Sequence, residues 1–134
     1  MSNPSGPINI RAELERVARE FSLAAGDASF EDRPDRGFTP DNLCLTLPFF
    51  LVEATPFDDA VSAARAMSLA NACGTAHFLL EDAELDGDAT PSPEGRRRSG
   101  VFYRRFLAGY ARFFGPDSGF WSELECLLGE YYDS

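Results

Sequence analysis

The chain has 134 residues, with 12 basic against 22 acidic side chains and a net charge of −10. That length fits one domain with a real core, and 44% hydrophobic with 13% aromatic residues excludes a disordered chain. The acidic balance excludes nonspecific binding of nucleic acid and disfavours an anionic membrane surface, but a phosphorylated ligand stays open because a bound metal supplies local positive charge.

The basic residues are all Arg, and Lys is absent. Arg forms bidentate pairs with phosphate, but a GC-rich coding bias gives the same composition. Cys44, Cys73 and Cys126 are odd in number, widely spaced and set in apolar patterns. They are expected to be reduced core thiols, not zinc ligands. Residues 1–134 are expected to form one α-helical domain, with 1–9 a flexible N-terminal arm. The opening Met1–Pro7 lacks the basic and apolar blocks of a secretory leader, so a cytoplasmic location is expected. The longest uncharged stretch, Ala66–Leu80, is too short to span a bilayer and contains Asn71 and His77.

Alternating strand patterns are missing, and helical periodicity accounts for nearly the whole chain. A first helix is expected over Ile10–Ala25, with Ile10, Leu14, Val17, Phe21 and Ala24 on one stripe and Gly26 as terminator. A polar loop follows over Asp27–Phe38. Thr39-Pro40-Asp41 opens a second helix carrying Leu43, Leu47, Phe50 and Leu51, kinked at Pro48. Thr55-Pro56-Phe57-Asp58 has the spacing of a capping box and opens a third helix free of Pro as far as Asp86. Its many Ala residues and Gly74 make it slim, so neighbours can approach and it is expected to be central and longest. The stretch Gly87–Gly95, with Pro91 and Pro93, is expected to be loop. A fourth helix over Arg96–Phe114 turns Val101, Phe102, Phe106, Tyr110 and Phe113 inward and stops at Gly115-Pro116. Asp117 or Ser118 caps a fifth, with Phe120, Leu124, Leu127, Leu128 and Tyr131 on one face. The fold class is all-α, a bundle of about five helices.

The segment Glu81–Asp88 puts five carboxylates into eight residues, directly after an apolar run. Asp82 and Asp86 are four apart and share one helix face. Steps of three and four back from Asp82 put Phe78, Thr75 and Asn71 on that face. Acids at a helix C-terminus oppose the helix dipole, which a divalent cation between them relieves. Mg²⁺ takes one or two carboxylates plus phosphate oxygens and water. One reading is therefore a metal–diphosphate site at the mouth of an apolar cavity. The other is a solvated acidic turn. Arg96-Arg97-Arg98 is either a diphosphate clamp or simple neutralisation of these acids. His77 can pair with Glu81 at i, i+4, or serve as a hydrogen-bonded residue at the edge of the core. Neither a nucleophilic triad nor a Gly-rich phosphate loop is recognisable, and no residue is assigned a catalytic role.

Phe78-Leu79-Leu80-Glu81-Asp82-Ala83-Glu84-Leu85-Asp86-Gly87-Asp88 resembles the first aspartate-rich motif, Asp-Asp-x-x-Asp, of class I isoprenoid (terpene and prenyl) synthases. Asp82 matches the first position and Asp86 the fifth, while Ala83 replaces the second aspartate. The stretches Leu47–Ala54 and Gly119-Phe120-Trp121 also look like a small branch of that superfamily, so the resemblance covers residues 40–134. It implies half of the family's all-α fold. It further implies Mg²⁺ or Mn²⁺ held by Asp82 and Asp86, and a prenyl diphosphate contacted by Phe78, Asn71, Thr75, Arg97 and Arg98. The family chemistry, lyase or transferase, is metal-assisted loss of diphosphate. The family's second metal motif is not found here, so the expected domain is an incomplete catalyst: a fragment, a truncated form, or a half that pairs with a second copy of itself or a complementary C-terminal half. The alternative is a noncatalytic helical module that binds a protein partner, with neither nucleic acid nor a membrane span.

Overall fold

Small residues decide the architecture. The computed structural model describes residues 8–25, 40–53, 59–87 and 90–133, with side chains undescribed at Ala24, Ala25 and Glu53. Within them it is all-helical, with five helices and no strand: α1 (Ile10–Ala25), α2 (Leu43–Glu53), α3 (Ala60–Leu85), α4 (Pro93–Ala111) and α5 (Gly119–Asp133). The Gly26 stop, the 27–38 loop, Thr39, the Thr55–Asp58 capping box, Asp88 and the arm up to Pro7 lie outside the described residues.

At 26 residues, α3 is the longest of the five helices and buries Ala63, Ala64, Ser68, Ala70, Ala72, Cys73, Gly74, Ala76 and His77. It packs against α1, α2 and α4. It approaches α4 closely, where a Cβ added at Gly109 would lie 2.6 Å from the Ala70 methyl, and one added at Gly74 would lie 2.8 Å from the Phe106 ring. The core fills the remaining space with Leu14, Val17 and Phe21 of α1, Leu45, Phe49 and Val52 of α2, and Phe102 of α4. Phe21 stacks on Phe102 with centroids 5.5 Å apart. Gly109→Ala is expected to push α4 off α3 and cost about 1–3 kcal/mol as an overpacking strain. The better helix propensity of Ala offsets about 1 kcal/mol at most. Urea denaturation measures it, and a midpoint at or above the parent's would show that the two helices separate freely.

The helix starts follow capping chemistry. Asn9 Oδ1 accepts from the Ala12 amide at 3.1 Å, and Ser118 Oγ accepts from the Phe120 amide at 3.1 Å. Asn42 Oδ1 accepts from the Cys44 amide at 3.1 Å, so α2 starts later than the Thr39-Pro40 signal suggested. Ser92 caps α4, accepting from the Gly95 amide at 3.0 Å, with Pro93 in the first turn. The expected loop over Gly87–Gly95 is thus shortened, because Ser-Pro-Glu opens a helix as readily as it closes a loop. The fourth helix ends at Ala111, which leaves Phe113 in the following turn. Asp59 starts α3 in the left-handed region (φ 56°, ψ 55°) without a side-chain cap.

Two expectations about burial are corrected. Leu43, Leu47, Phe50 and Leu51 are 66%, 47%, 52% and 55% exposed, and α2 buries Leu45, Thr46, Phe49 and Val52 instead. The helix is apolar all round, so its own periodicity cannot choose a face and the slim flank of α3 chooses it. All three cysteines are free thiols, but only Cys73 is in the core and Cys44 and Cys126 are exposed.

Candidate functional site

Pro48 shapes the site from inside α2. It has no N–H, so the Cys44 carbonyl four residues earlier loses its helical donor. The Asn71 amide of α3 fills that place, with Nδ2 donating to Cys44 O at 2.6 Å. The Tyr110 hydroxyl of α4 in turn donates to Asn71 Oδ1 at 2.5 Å. Burial, the larger effect, raises the Tyr110 pKa, and the bond to Asn71 opposes the shift. Ser68 Oγ donates to Leu45 O at 2.8 Å in the buried seam. These bonds hold α2, α3 and α4 in a fixed frame, with an open trough between them.

The trough is an apolar cavity of about 740 Å³. Leu43, Leu47, Pro48 and Leu51 of α2 form one wall and Phe106 and Tyr110 of α4 another, with Phe114 and Phe120 near the α4–α5 turn. Its α3 side carries Asn71, Thr75, Phe78 and Asp82 in steps of three and four. The four residues that the spacing grouped on one face therefore line one cavity. The exposed leucines of α2 belong to its wall, which explains why they are not in the core. Asn71 lines it with both ends of its amide engaged inside the protein.

At the acidic end, Asp82 lies on the rim and Asp86 is exposed beyond it, outside the lining. Asp86 closes α3, its backbone N–H donating to Asp82 O at 2.9 Å. Asp82 Oδ1 accepts from the Tyr131 hydroxyl at 2.5 Å, and Glu81 Oε1 accepts from the Tyr132 hydroxyl at 3.0 Å. The Tyr131 pKa is pushed up, first by the bond to Asp82 and next by burial. The Tyr132 pKa is also raised, first by burial and then by Glu81. Glu84 Oε2 lies 3.9 Å from a Cβ built at Gly95, beside the start of α4, where the helix dipole favours an acid. Hydroxyl donors and a neighbouring helix start thus relieve part of the repulsion for which a cation was expected. Among the described residues, no group of three or more His, Cys, Asp or Glu is placed to hold a metal.

Arg97 is exposed, and Arg98 Nη2 lies 3.9 Å from Glu94 Oε2 one turn back. Neither lines the cavity. His77 is buried between α3 and α4. Its Nδ1 is 2.7 Å from Ser99 Oγ and 3.1 Å from Ser99 O, and its Nε2 is 3.9 Å from Glu81 Oε2. It is therefore hydrogen-bonded at the edge of the core and also paired with Glu81 one turn on, so both readings of this residue hold together. The tyrosines of α5 that meet the carboxylates had no signal in the sequence, because partners 49 and 51 residues apart share no local pattern.

In the described residues, no helix is long and apolar enough to cross a membrane. No protein-family model, curated protein or solved structure matches this chain.

Proposed function

We propose that the chain binds a prenyl diphosphate, with the apolar tail in the cavity between α2, α3 and α4 and the diphosphate at its acidic rim. One observation carries this reading: Asn71, Thr75, Phe78 and Asp82 line a single apolar cavity of about 740 Å³ with the carboxylate at its edge. That volume falls within the range of about 300–1,000 Å³ typical of small-ligand sites. Asp82 and Asp86 offer the hard oxygen donors that Mg²⁺ or Mn²⁺ prefers, and two carboxylates suffice when phosphate and water complete the shell. When bound, the ion supplies charge neutralisation of the diphosphate. The rings of Phe78, Phe106 and Phe120 exclude water from the tail and offer π faces to a cationic group.

Among the described residues, the carboxylates offered to the ion, Asp82 and Asp86, come from one helix end, so the diphosphate is gripped from one side. Water then reaches it, and developing charge is poorly stabilised. Binding without turnover of geranyl or farnesyl diphosphate is the expected behaviour of this chain alone. Calorimetric titration of the chain with geranyl diphosphate, with and without Mg²⁺, tests the reading. Affinity is expected to rise at least tenfold with the metal and to lose that gain in Asp82→Asn/Asp86→Asn. Equal affinities in the parent and the double variant would reject the site.

The second reading is a noncatalytic helical module that docks a partner. The exposed row of Leu43, Phe50, Leu51 and Leu79 favours it, because apolar surface of this kind marks interaction sites. A titration without heat from any prenyl diphosphate, together with dimers in light scattering, would decide for that reading.

A further inference from the structure

The opposite side of α3 carries a second cavity, of about 360 Å³. Its α3 wall is built from Ser62, Arg65, Ala66, Leu69, Ala70 and Cys73, which repeat in steps of three and four and share no residue with the first cavity. Its other wall has Arg105, Ala108 and Gly109 of α4 and Arg112 just past the end of that helix. Gly109 meets Ala70 in its lining, where even an added Cβ would lie 2.6 Å from the Ala70 methyl.

Three of the chain's 12 arginines converge here on a molecule of net charge −10. Arg65 is oriented by Glu13, through Nε–Oε1 at 2.5 Å and Nη2–Oε2 at 3.2 Å. That side-on pairing leaves the Nη1 hydrogens of a five-donor guanidinium for another oxyanion. Arg105 and Arg112 have no carboxylate partner within 4.0 Å among the described residues. Arg112 is steered by the Phe113 ring, 5.5 Å from its guanidinium carbon. Arg105 is close enough to act electrostatically on the Cys73 thiol at the floor, although burial dominates and pushes that thiol up to about 11. Glu20, also in the lining, and Asp59 are further acids acting on Arg65. Three guanidiniums against Glu13, Glu20 and Asp59 balance in charge, so the pull on an anion rests on the forks of Arg105 and Arg112.

We propose that this second cavity binds a small phosphate monoester, its phosphate held by Arg65, Arg105 and Arg112 with the Ser62 hydroxyl, and its organic part against Leu69 and Ala70. Planar guanidinium forks match phosphate oxygens in bidentate geometry. The volume lies near the lower end of ligand sites, about 300 Å³, so the organic group is small. A polynucleotide or an anionic membrane is disfavoured as the source of the phosphate, because the net charge of −10 repels extended polyanions.

The test is calorimetric titration at low ionic strength with glycerol 3-phosphate, inorganic phosphate and glycerol. Glycerol 3-phosphate is expected to bind most tightly and glycerol not at all. Arg105→Gln/Arg112→Gln is expected to raise the ester's Kd at least tenfold, and Arg105→Lys/Arg112→Lys severalfold, since charge without the fork recovers only part of the affinity. Arg11→Gln/Arg96→Gln removes the same charge outside the cavity and should change Kd less than twofold. Circular dichroism checks that each variant keeps its helices, as expected for exposed positions. An unchanged Kd in the Gln pair, an equal loss in the Arg11/Arg96 pair, or no saturable binding of the ester would overturn the proposal. Equal affinity for inorganic phosphate would also overturn it, by removing any role for the organic group. The result is independent of prenyl diphosphate binding, which Asp82→Asn reports separately.

Discussion

Phe102→Ala is expected to lower stability by about 3–5 kcal/mol, the cost of a large buried ring replaced by a partly collapsed cavity. Phe102 is 1% exposed and stacks on Phe21, so its truncation strips contacts from α1 and α4 together. A domain of this size has about 5–15 kcal/mol in all, so the variant should be partly unfolded at 37 °C. Urea titration should show a lower midpoint with an unchanged slope. A loss below 1 kcal/mol would mean that α1 is not part of the cooperative core.

The second large effect is expected at Phe78, which lines the cavity with a ring that is only half buried. Phe78→Ala opens space directly beneath Asp82. A longer prenyl tail can then bury additional methylenes at about 0.8 kcal/mol each. The preference for farnesyl over geranyl diphosphate should rise at least tenfold, read by competitive calorimetry. The stability cost should be smaller than at Phe102, about 1–2 kcal/mol, because full burial of Phe is worth only about 1.5–3 kcal/mol and half is present here. The edge contacts to His77 (4.7 Å) and Tyr131 (4.9 Å) are lost as well. A large loss of stability with unchanged chain-length preference would make Phe78 an ordinary core residue.

Helix existence and the centrality of α3 were legible because both rest on local signals, namely a 3.6-residue apolar repeat and a run of small residues. The grouping of Asn71, Thr75, Phe78 and Asp82 was legible for the same reason, since a helix face follows from spacing alone. The buried side of α2 was not legible: LCLTLPFFLV is apolar in every direction, and the choice is made by what packs against it. The role of Pro48 was half legible. The missing donor follows from the residue itself, but the donor that replaces it, Asn71, comes from a different helix. The fork of Arg65 on Glu13 and the hydroxyls on Glu81 and Asp82 join positions about 50 residues apart, and only the folded chain brings them together.

The attachment of α5 has a consequence for spectroscopy. This helix has no buried residue, and it rests on stacked rings, Phe114 on Phe120 at 4.4 Å, and on hydroxyl–carboxylate bonds at its far end. Trp121, the sole tryptophan, donates from Nε1 to Phe114 O at 3.1 Å and Gly115 O at 3.0 Å, both at the root of the helix. The indole therefore senses the docking of α5, whereas the far-ultraviolet signal is dominated by α1 to α4. Elements with little buried surface open at free energies well below the global one. Fluorescence and circular dichroism then follow two separate transitions, and a melting temperature taken from tryptophan emission describes the release of one helix, not the unfolding of the domain.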